Sequence, residues 1–194
     1  GESISVHLNS PGRFMVSNAL AAAAVGHQMG LSGETVKAGL EAFKPVAGRL
    51  NIQHLPGGIH LIDDTYNANP ESVKAAVATL NTMRSGATGI VVVGDMLELG
   101  ALAQSLHRDV GAEAALAGIS RLYAHGEFAA EVRAGAHEKG LQPEDTFEGS
   151  HEDIVEDLKY RLQPGDWLLV KGSRGMAMEK VVEGLKAWAN ESER

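Results

Sequence analysis

The chain contains no cysteine, and its apolar runs are short. Without cysteine, disulfide scaffolds, thiolate zinc sites and cysteine nucleophiles are excluded, and a reducing cytosol is compatible with the composition. The longest apolar runs, such as residues 19–25, are far below the roughly 20 residues that a helix needs to cross a bilayer. The sequence therefore predicts no membrane span, and its first residues show no secretory-signal pattern.

Basic residues are also in deficit. The chain carries 17 Lys and Arg against 25 Asp and Glu, a formal net charge of −8 at pH 7. Because this charge opposes contact with a phosphodiester backbone, nucleic acid is not an expected partner. The 194 residues, 44% of them hydrophobic, suffice for one large or two small globular domains.

The charge distribution changes at Arg84. Residues 1–84 contain six basic and six acidic residues, so the whole acidic excess lies in residues 85–194. A Gly- and Ser-containing stretch at 84–89 separates a helical pattern from a β-branched run. We therefore expect a domain boundary there, with a first domain at 1–84 and a second at 85–194.

Local signals predict helices and one hairpin in the first part. Ser32 is a typical N-cap, and Pro70 suits the first position of a helix. Residues 50–55 and 59–62 flank Pro-Gly-Gly and predict a β-hairpin. The predicted helices of this part are at 16–29, 33–43 and 70–83.

The second part alternates strands and helices. This order predicts right-handed crossovers and a mostly parallel sheet covered on both faces. The expected fold class is therefore α/β, with a Rossmann-like C-terminal domain preceded by a helix-rich segment. The predicted strands are at 90–93, 121–124, 146–147 and 167–170, and the predicted helices are at 105–117, 127–139, 152–162 and 178–189.

Two loops that follow predicted strands carry polar groups. Ligands of open α/β sheets bind outside the carboxyl ends of the strands, so these loops are candidate sites. Residues 94–100 read Gly-Asp-Met-Leu-Glu-Leu-Gly, and residues 171–175 read Lys-Gly-Ser-Arg-Gly. A hydroxyl, a guanidinium and a following helix N-terminus favour an anion or carboxylate site in the second loop. The alternative is that the glycines only make tight turns.

A third polar segment, DDTYNANP at residues 63–70, follows the hairpin. Its adjacent carboxylates repel each other, which favours a site with a cation, a ribose diol or backbone donors. Asn69 before Pro70 also fits a helix cap, so a structural role stays open for that residue.

The eight histidines are scattered, and none has the H-x-x-x-H or H-E-x-x-H spacing of a helical metal site. No metal site is therefore predicted. His107, on the helix after the Asp95 loop, either orients a polar group near the crevice or is an ordinary hydrogen-bonded side chain. The sequence also lacks the G-x-x-x-x-G-K-[ST] phosphate-binding loop and the G-x-G-x-x-G fingerprint.

Taken together and in this order, five motifs resemble those of the Mur ligases of bacterial cell-wall synthesis. They are Pro-Gly-Arg-x-x-x-x-Asn-Ala-Leu-Ala-Ala-Ala at 11–23, Gly-Arg-Leu at 48–50, and the segments at 63–70, 94–100 and 171–179. The resemblance is closest to the members that add D-Ala-D-Ala to a UDP-MurNAc-tripeptide. It implies that 1–84 is the C-terminal part of a central ATP-binding domain and that 85–194 is the C-terminal Rossmann-like ligase domain.

The resemblance implies an ATP-dependent ligase, represented here by a fragment that is not active alone. In the family reaction, ATP converts the terminal carboxylate of the UDP-MurNAc-tripeptide into an acyl phosphate, which the amine of D-Ala-D-Ala attacks. The phosphate-binding loop and the Mg²⁺ ligands are expected upstream of this chain. The implied enzyme is cytoplasmic and monomeric, with these two peptide substrates as its partners.

The resemblance also assigns roles to single residues. Arg49 is expected to be catalytic, because it would reach the γ-phosphate of ATP. The other expected nucleotide contacts are Asn18, Asp64, Asn67 and Asn69. The dipeptide carboxylate is expected to be held in a crevice formed by Lys171, Ser173, Arg174, Asp95 and His107.

One segment departs from the family pattern. Where the family usually reads Gly-Arg-His-Asn-x-x-Asn, this chain has the apolar residues Phe14 and Met15 and keeps Asn18. Two other functions are compatible with the sequence: an amide ligase of the cyanophycin-synthetase or folylpolyglutamate type, and a non-catalytic ligand-binding α/β module. The segments at 63–70 and 171–174 argue against the first alternative. The second needs a gene that encodes nothing upstream.

Overall fold

A computed structural model describes residues 3–191 of the chain. By internal contacts the chain divides into two compact units, Gly1–Val46 and Ala47–Arg194. No helix among residues 3–191 is both long enough and apolar enough to cross a membrane.

The first unit contains two helices, α1 (Arg13–Gln28) and α2 (Gly33–Ala42). The Ser32 hydroxyl accepts a hydrogen bond from the Thr35 N–H, which satisfies one of the free donors at the start of α2. Gly30, at φ 77°, supplies the left-handed backbone that ends the first helix. Both predicted helices of this region are confirmed.

The second unit is built on a six-stranded sheet in the order β1-β2-β6-β3-β4-β5. β1 and β2 pair antiparallel, and the other four pairings are parallel. The strands are β1 (Asn51–Leu55), β2 (Ile59–Asp64), β3 (Gly89–Gly94), β4 (Arg121–His125), β5 (Thr146–Glu148) and β6 (Trp167–Lys171). The expected α/β class and mostly parallel sheet are confirmed.

Helices cover both faces of this sheet. Alternate residues of each central strand point to opposite faces, so Val91 and Leu169 pack on one side while Val92 and Leu168 pack on the other. The first face is covered by α3 (Pro70–Arg84), α4 (Ala103–Leu116) and α5 (Ala129–Glu138), and the second by α6 (His151–Arg161) and α7 (Glu179–Glu191).

The structure divides the chain at residues 46 and 47, not at the predicted position 84 and 85. The hairpin is part of the same sheet as the later strands, because β2 pairs in parallel with β6, with Ile62 opposite Leu169. The 84–89 stretch is fixed in place as well. Arg84 donates hydrogen bonds to the carbonyl oxygens of Ala87 and Gly118. The change in charge at residue 84 therefore marks a change in surface composition and does not separate two cores.

Candidate functional site

The three polar loops identified from the sequence meet at the carboxyl edge of the sheet. They follow β2, β3 and β6, which are neighbours in the order β2-β6-β3. β2 and β3 lead to helices on one face, whereas β6, between them, leads to α7 on the other face. On each side of β6, the connections that follow neighbouring strands therefore run to opposite faces of the sheet. Open α/β sheets bind ligands at such positions.

Lys171, the last residue of β6, is buried and donates two hydrogen bonds to the 63–69 segment. It is only 2% exposed. Its Nζ donates to Asp64 Oδ2 at 2.6 Å and to the Asn67 carbonyl oxygen at 2.8 Å. Burial raises the pKa of the Asp64 carboxyl, and the Lys171 charge, together with the Leu50 N–H at 3.0 Å, acts against that rise.

Ser173 connects all three loops. Its Oγ donates to the Ala68 carbonyl oxygen at 3.2 Å and accepts from the Leu97 N–H at 2.9 Å. Its own N–H donates to the Asp95 carbonyl oxygen at 3.0 Å. The side chain is 3% exposed, so its hydroxyl is occupied inside the protein.

Asp95 and His107 hold the loop after β3 through hydrogen bonds to backbone groups. The Asp95 carboxylate accepts from the N–H groups of Glu127 at 2.7 Å and Phe128 at 3.1 Å, just before α5. His107 Nε2 accepts from the Met96 N–H at 2.8 Å, and its Nδ1 donates to the Ala103 carbonyl oxygen at 2.7 Å. Both side chains are buried, so they hold the loop after β3 in place and are not exposed at its surface.

Arg49 lies beside the 63–69 segment. Its guanidinium carbon is 4.0 Å from the centre of the Tyr66 ring, a cation–π contact. The Tyr66 N–H donates to the Gly48 carbonyl oxygen at 2.9 Å, which holds the turn that carries Arg49. Gly48, at φ 73°, fits because a Cβ there would press on the Tyr66 backbone. Arg49 itself is exposed and able to contact a ligand.

The two asparagines of this segment have different environments. Asn69 caps α3: its Oδ1 accepts from the Ser72 N–H at 2.8 Å, and its own N–H donates to Ser72 Oγ at 3.0 Å. This is the capping role left open for Asn69 in the sequence. The Asn67 side chain is exposed, while its carbonyl oxygen binds Lys171.

Among the five residues predicted to hold the dipeptide carboxylate, Arg174 is the exposed one. Its side chain is 65% exposed, and its Nη1 donates to Glu179 Oε1 at 3.1 Å. It begins a single 3₁₀ turn, Arg174–Met176, that precedes α7. The guanidinium therefore keeps donors free for an incoming anion.

Two histidines near this turn were not identified from the sequence. His151 Nε2 donates to the Met176 carbonyl oxygen at 2.8 Å, and the ring centres of His151 and His125 are 4.1 Å apart. Burial, and to a smaller extent the neighbouring His125, lower the pKa of His151. Their only sequence signal is position: His125 ends a strand, and His151 begins a helix after the Ser150 cap.

Asn18 lies in the first unit. It lies on α1 and is exposed, and its amide nitrogen is 3.8 Å from the Met15 sulfur. The other predicted site residues all lie in the second unit. Among residues 3–191, no group of three or more His, Asp or Glu side chains is arranged to hold a metal ion.

Comparison with known proteins gives a consistent result. A family model described as "Mur ligase, glutamate ligase domain" matches residues 48–174. The chain is 39% identical over 190 residues to the UDP-N-acetylmuramoyl-tripeptide–D-alanyl-D-alanine ligase of Escherichia coli, covering 95% of this chain and 39% of that protein. It is 33% identical over 174 residues to the same-named ligase of Bacillus subtilis, covering 90% and 38%.

Solved structures agree. The fold matches MurF from Acinetobacter baumannii with a TM-score of 0.83 and 31% identity, over 94% of this chain and 40% of that one. It matches a Thermotoga maritima MurF ligase solved in complex with ADP with a TM-score of 0.81 and 25% identity, over 97% and 42%. The chain thus spans about two fifths of the length of these relatives. On the family match, the resemblance seen in the five motifs is confirmed, and the chain belongs to the Mur ligase family.

Proposed function

We propose that this chain is the C-terminal part of an ATP-dependent ligase that joins D-Ala-D-Ala to a UDP-MurNAc-tripeptide during synthesis of peptidoglycan precursors. The relatives named above carry this activity in their names. The observation that carries the proposal is that Arg49 and the 63–69 segment belong to the same unit and sheet edge as the Arg174 turn. Nucleotide and dipeptide contacts can then serve one reaction.

Two exposed cations supply the proposed ligand contacts. Arg174 would bind the terminal carboxylate of the dipeptide, because a guanidinium can donate two parallel hydrogen bonds to a carboxylate. Arg49 would stabilise negative charge on the phosphate of ATP as phosphoryl transfer proceeds. By positioning the two reactants, these residues would favour attack of the dipeptide amine on the acyl phosphate.

The nucleotide side also involves Asp64, Asn67, Asn69 and Asn18. We propose that Asp64 accepts a hydrogen bond from the ribose. Each of its oxygens already accepts one hydrogen bond, and a carboxylate oxygen can accept a second. The exposed Asn67 amide is free to face the nucleotide, whereas Asn69 would contribute from its position at the start of α3. Asn18 is proposed as a contact on the evidence of its motif alone.

The family reaction uses Mg²⁺ to neutralise phosphate charge. Among residues 3–191, no group of three or more His, Asp or Glu side chains is arranged to hold a metal ion. As the family resemblance implies, we propose that the ligands of this ion and the phosphate-binding loop lie upstream of this chain. A cytoplasmic location and a monomeric state stay predictions of the proposed function.

Activity of the complete protein tests the proposal. The full-length protein should release ADP only when ATP, UDP-MurNAc-tripeptide and D-Ala-D-Ala are all present. D-Ala-D-Ala amide, which lacks the terminal carboxylate but keeps the amine, is the matched control and should be a poor substrate. ADP release that requires glutamate in place of the dipeptide would support a folylpolyglutamate-type ligase, and binding without turnover would support a non-catalytic module. Either result would overturn the proposal.

A further inference from the structure

We propose that Lys171 and Ser173 are positioning residues that fix the nucleotide-side segment to the dipeptide-side loop, and that neither contacts the dipeptide. We call these two side chains and their acceptors, the Asp64 carboxylate and the carbonyl oxygens of Asn67 and Ala68, the bridge. This inference rests on the proposed function, because it concerns how that reaction's two binding sites are held together.

The local backbone explains why these two residues act together. Lys171 ends β6, and Ser173 is still extended, with φ −63° and ψ 153°. In an extended chain, residues i and i+2 point the same way. Both side chains therefore reach the 63–69 segment, where they bind two successive carbonyl oxygens, those of Asn67 and Ala68.

Burial and hydrogen bonding argue against direct contact with the dipeptide. Lys171 is 2% exposed and Ser173 is 3% exposed, while Arg174 next to them is open to solvent. The Lys171 charge is already matched by a carboxylate at 2.6 Å. Separating that pair to bind another anion would leave the mostly buried Asp64 carboxylate without a cationic partner, which is costly.

The bridge has a functional consequence. The 63–69 segment would contact the nucleotide, and residues 172–176 carry Arg174. If the two are held as one body, a change in the bridge displaces both binding sites. A displacement of about 1 Å at a reacting group can reduce the rate about 100-fold, so small shifts matter here.

The test compares three variants of the complete ligase: Lys171→Met, Ser173→Ala and Lys139→Met. Lys139→Met is the matched control, because Lys139 is exposed at the end of α5, outside the site. We expect Lys171→Met to raise the KM values for both ATP and D-Ala-D-Ala and to lower kcat by about tenfold or more. Ser173→Ala, a smaller change, should alter the same three quantities in the same directions, and Lys139→Met should alter none.

The pattern of kinetic changes distinguishes the bridge from direct binding. If Lys171→Met and Ser173→Ala raise only the KM for D-Ala-D-Ala and leave the KM for ATP unchanged, they contact the dipeptide and the bridge is wrong. A double-mutant cycle provides a second readout. Because Asp64→Asn and Lys171→Met disrupt one pair, we expect the double variant to lose less activity than the product of the two single losses.

A stability cycle separates this inference from the proposed function. If the unmodified complete protein does not ligate, the proposed function fails, and the same cycle is then measured by denaturant unfolding. Coupled effects of Asp64→Asn and Lys171→Met on the unfolding midpoint would support a bridge that holds the two loops. Additive effects would show that the two residues do not act as a pair and would overturn it.

Discussion

The two compact units bury their apolar residues to very different extents. In the first unit, α1 buries only Gly26 and α2 buries no residue, while Leu20 is 65% exposed and Met29 is 74% exposed. In the second unit, the central strands are buried on both faces by five helices. The helices of the first unit therefore form without burying a core of their own within residues 3–46.

The apolar surface of the first unit forms a groove instead of a packed interior. An apolar cavity of about 420 Å³ lies among residues 4–8, α1 and α2. In the second unit, buried side chains fill the space between the sheet and its helices, and Leu61, Leu168 and Leu169 are 0% exposed. Since the hydrophobic contribution scales with the apolar area removed from water, most of the stability of the chain should come from the second unit.

The largest expected effect comes from removing one core side chain. Leu169→Ala should lower the free energy of unfolding of the second unit by about 2–5 kcal/mol, because it leaves a cavity between the sheet and α3. Leu20→Ala, on exposed α1, should change stability by less than about 0.5 kcal/mol. Tryptophan fluorescence reports the second unit, since Trp167 and Trp188 both lie there. Circular dichroism follows the helices of both units. Equal losses in the two variants would contradict the comparison.

Two helical glycines, one in each unit, test the difference in packing when a single Cβ atom is added to each. Gly111 on α4 lies against the backbone of α5, and a Cβ there would overlap the Val132 carbonyl oxygen. Gly111→Ala should therefore destabilise the second unit by about 1–3 kcal/mol, because the two helices must move apart. At Gly39, on α2, an added Cβ would meet no atom within 4 Å, so Gly39→Ala should stabilise that helix by up to about 1 kcal/mol. Thermal unfolding of both variants checks the opposite signs.

The smallest expected effect is the pH dependence that His151 gives to the second unit. The pKa of His151 is lowered from its ordinary value of 6.5, so the unfolded chain binds this proton more readily than the folded chain. Stability should therefore fall as the pH drops below about 6.5. His151→Gln should reduce this loss when unfolding is followed by tryptophan fluorescence from about pH 7.5 to about pH 5.5. His27→Gln, in the first unit, is the control, and an identical pH profile for His151→Gln and the unmodified chain would exclude the assigned cause.

Local signals in the sequence predicted the individual elements well. Ser32 and Pro70 begin helices as predicted, and Pro-Gly-Gly joins the hairpin strands. Each of these features depends on residues within a few positions of one another. The polar loops that follow β3 and β6 were also identified from the sequence, but the 63–70 segment was placed in a separate domain, so the meeting of all three loops at one edge of the sheet was not predicted.

Long-range partners were not predictable from those signals. The parallel pairing of β2 with β6, which brings His60 opposite Trp167, decides that the hairpin shares the sheet. The ion pair between Lys171 and Asp64 joins residues 107 positions apart. A lysine after a strand has the same local pattern whether it binds a ligand or a buried carboxylate. The family resemblance placed Lys171 with the dipeptide, whereas in the structure Lys171 is 2% exposed and the side chain of Arg174, three residues later, is 65% exposed.

The most direct test of the proposed site is steady-state kinetics of Arg174→Ala in the complete ligase. We expect the KM for D-Ala-D-Ala to rise by about tenfold or more, because a charged hydrogen-bonding contact to its carboxylate is lost, while the KM for ATP stays the same. Arg174→Lys should recover part of the affinity, since it restores the charge without the planar guanidinium. An unchanged KM for D-Ala-D-Ala in Arg174→Ala would contradict the placement of the dipeptide at this edge of the sheet.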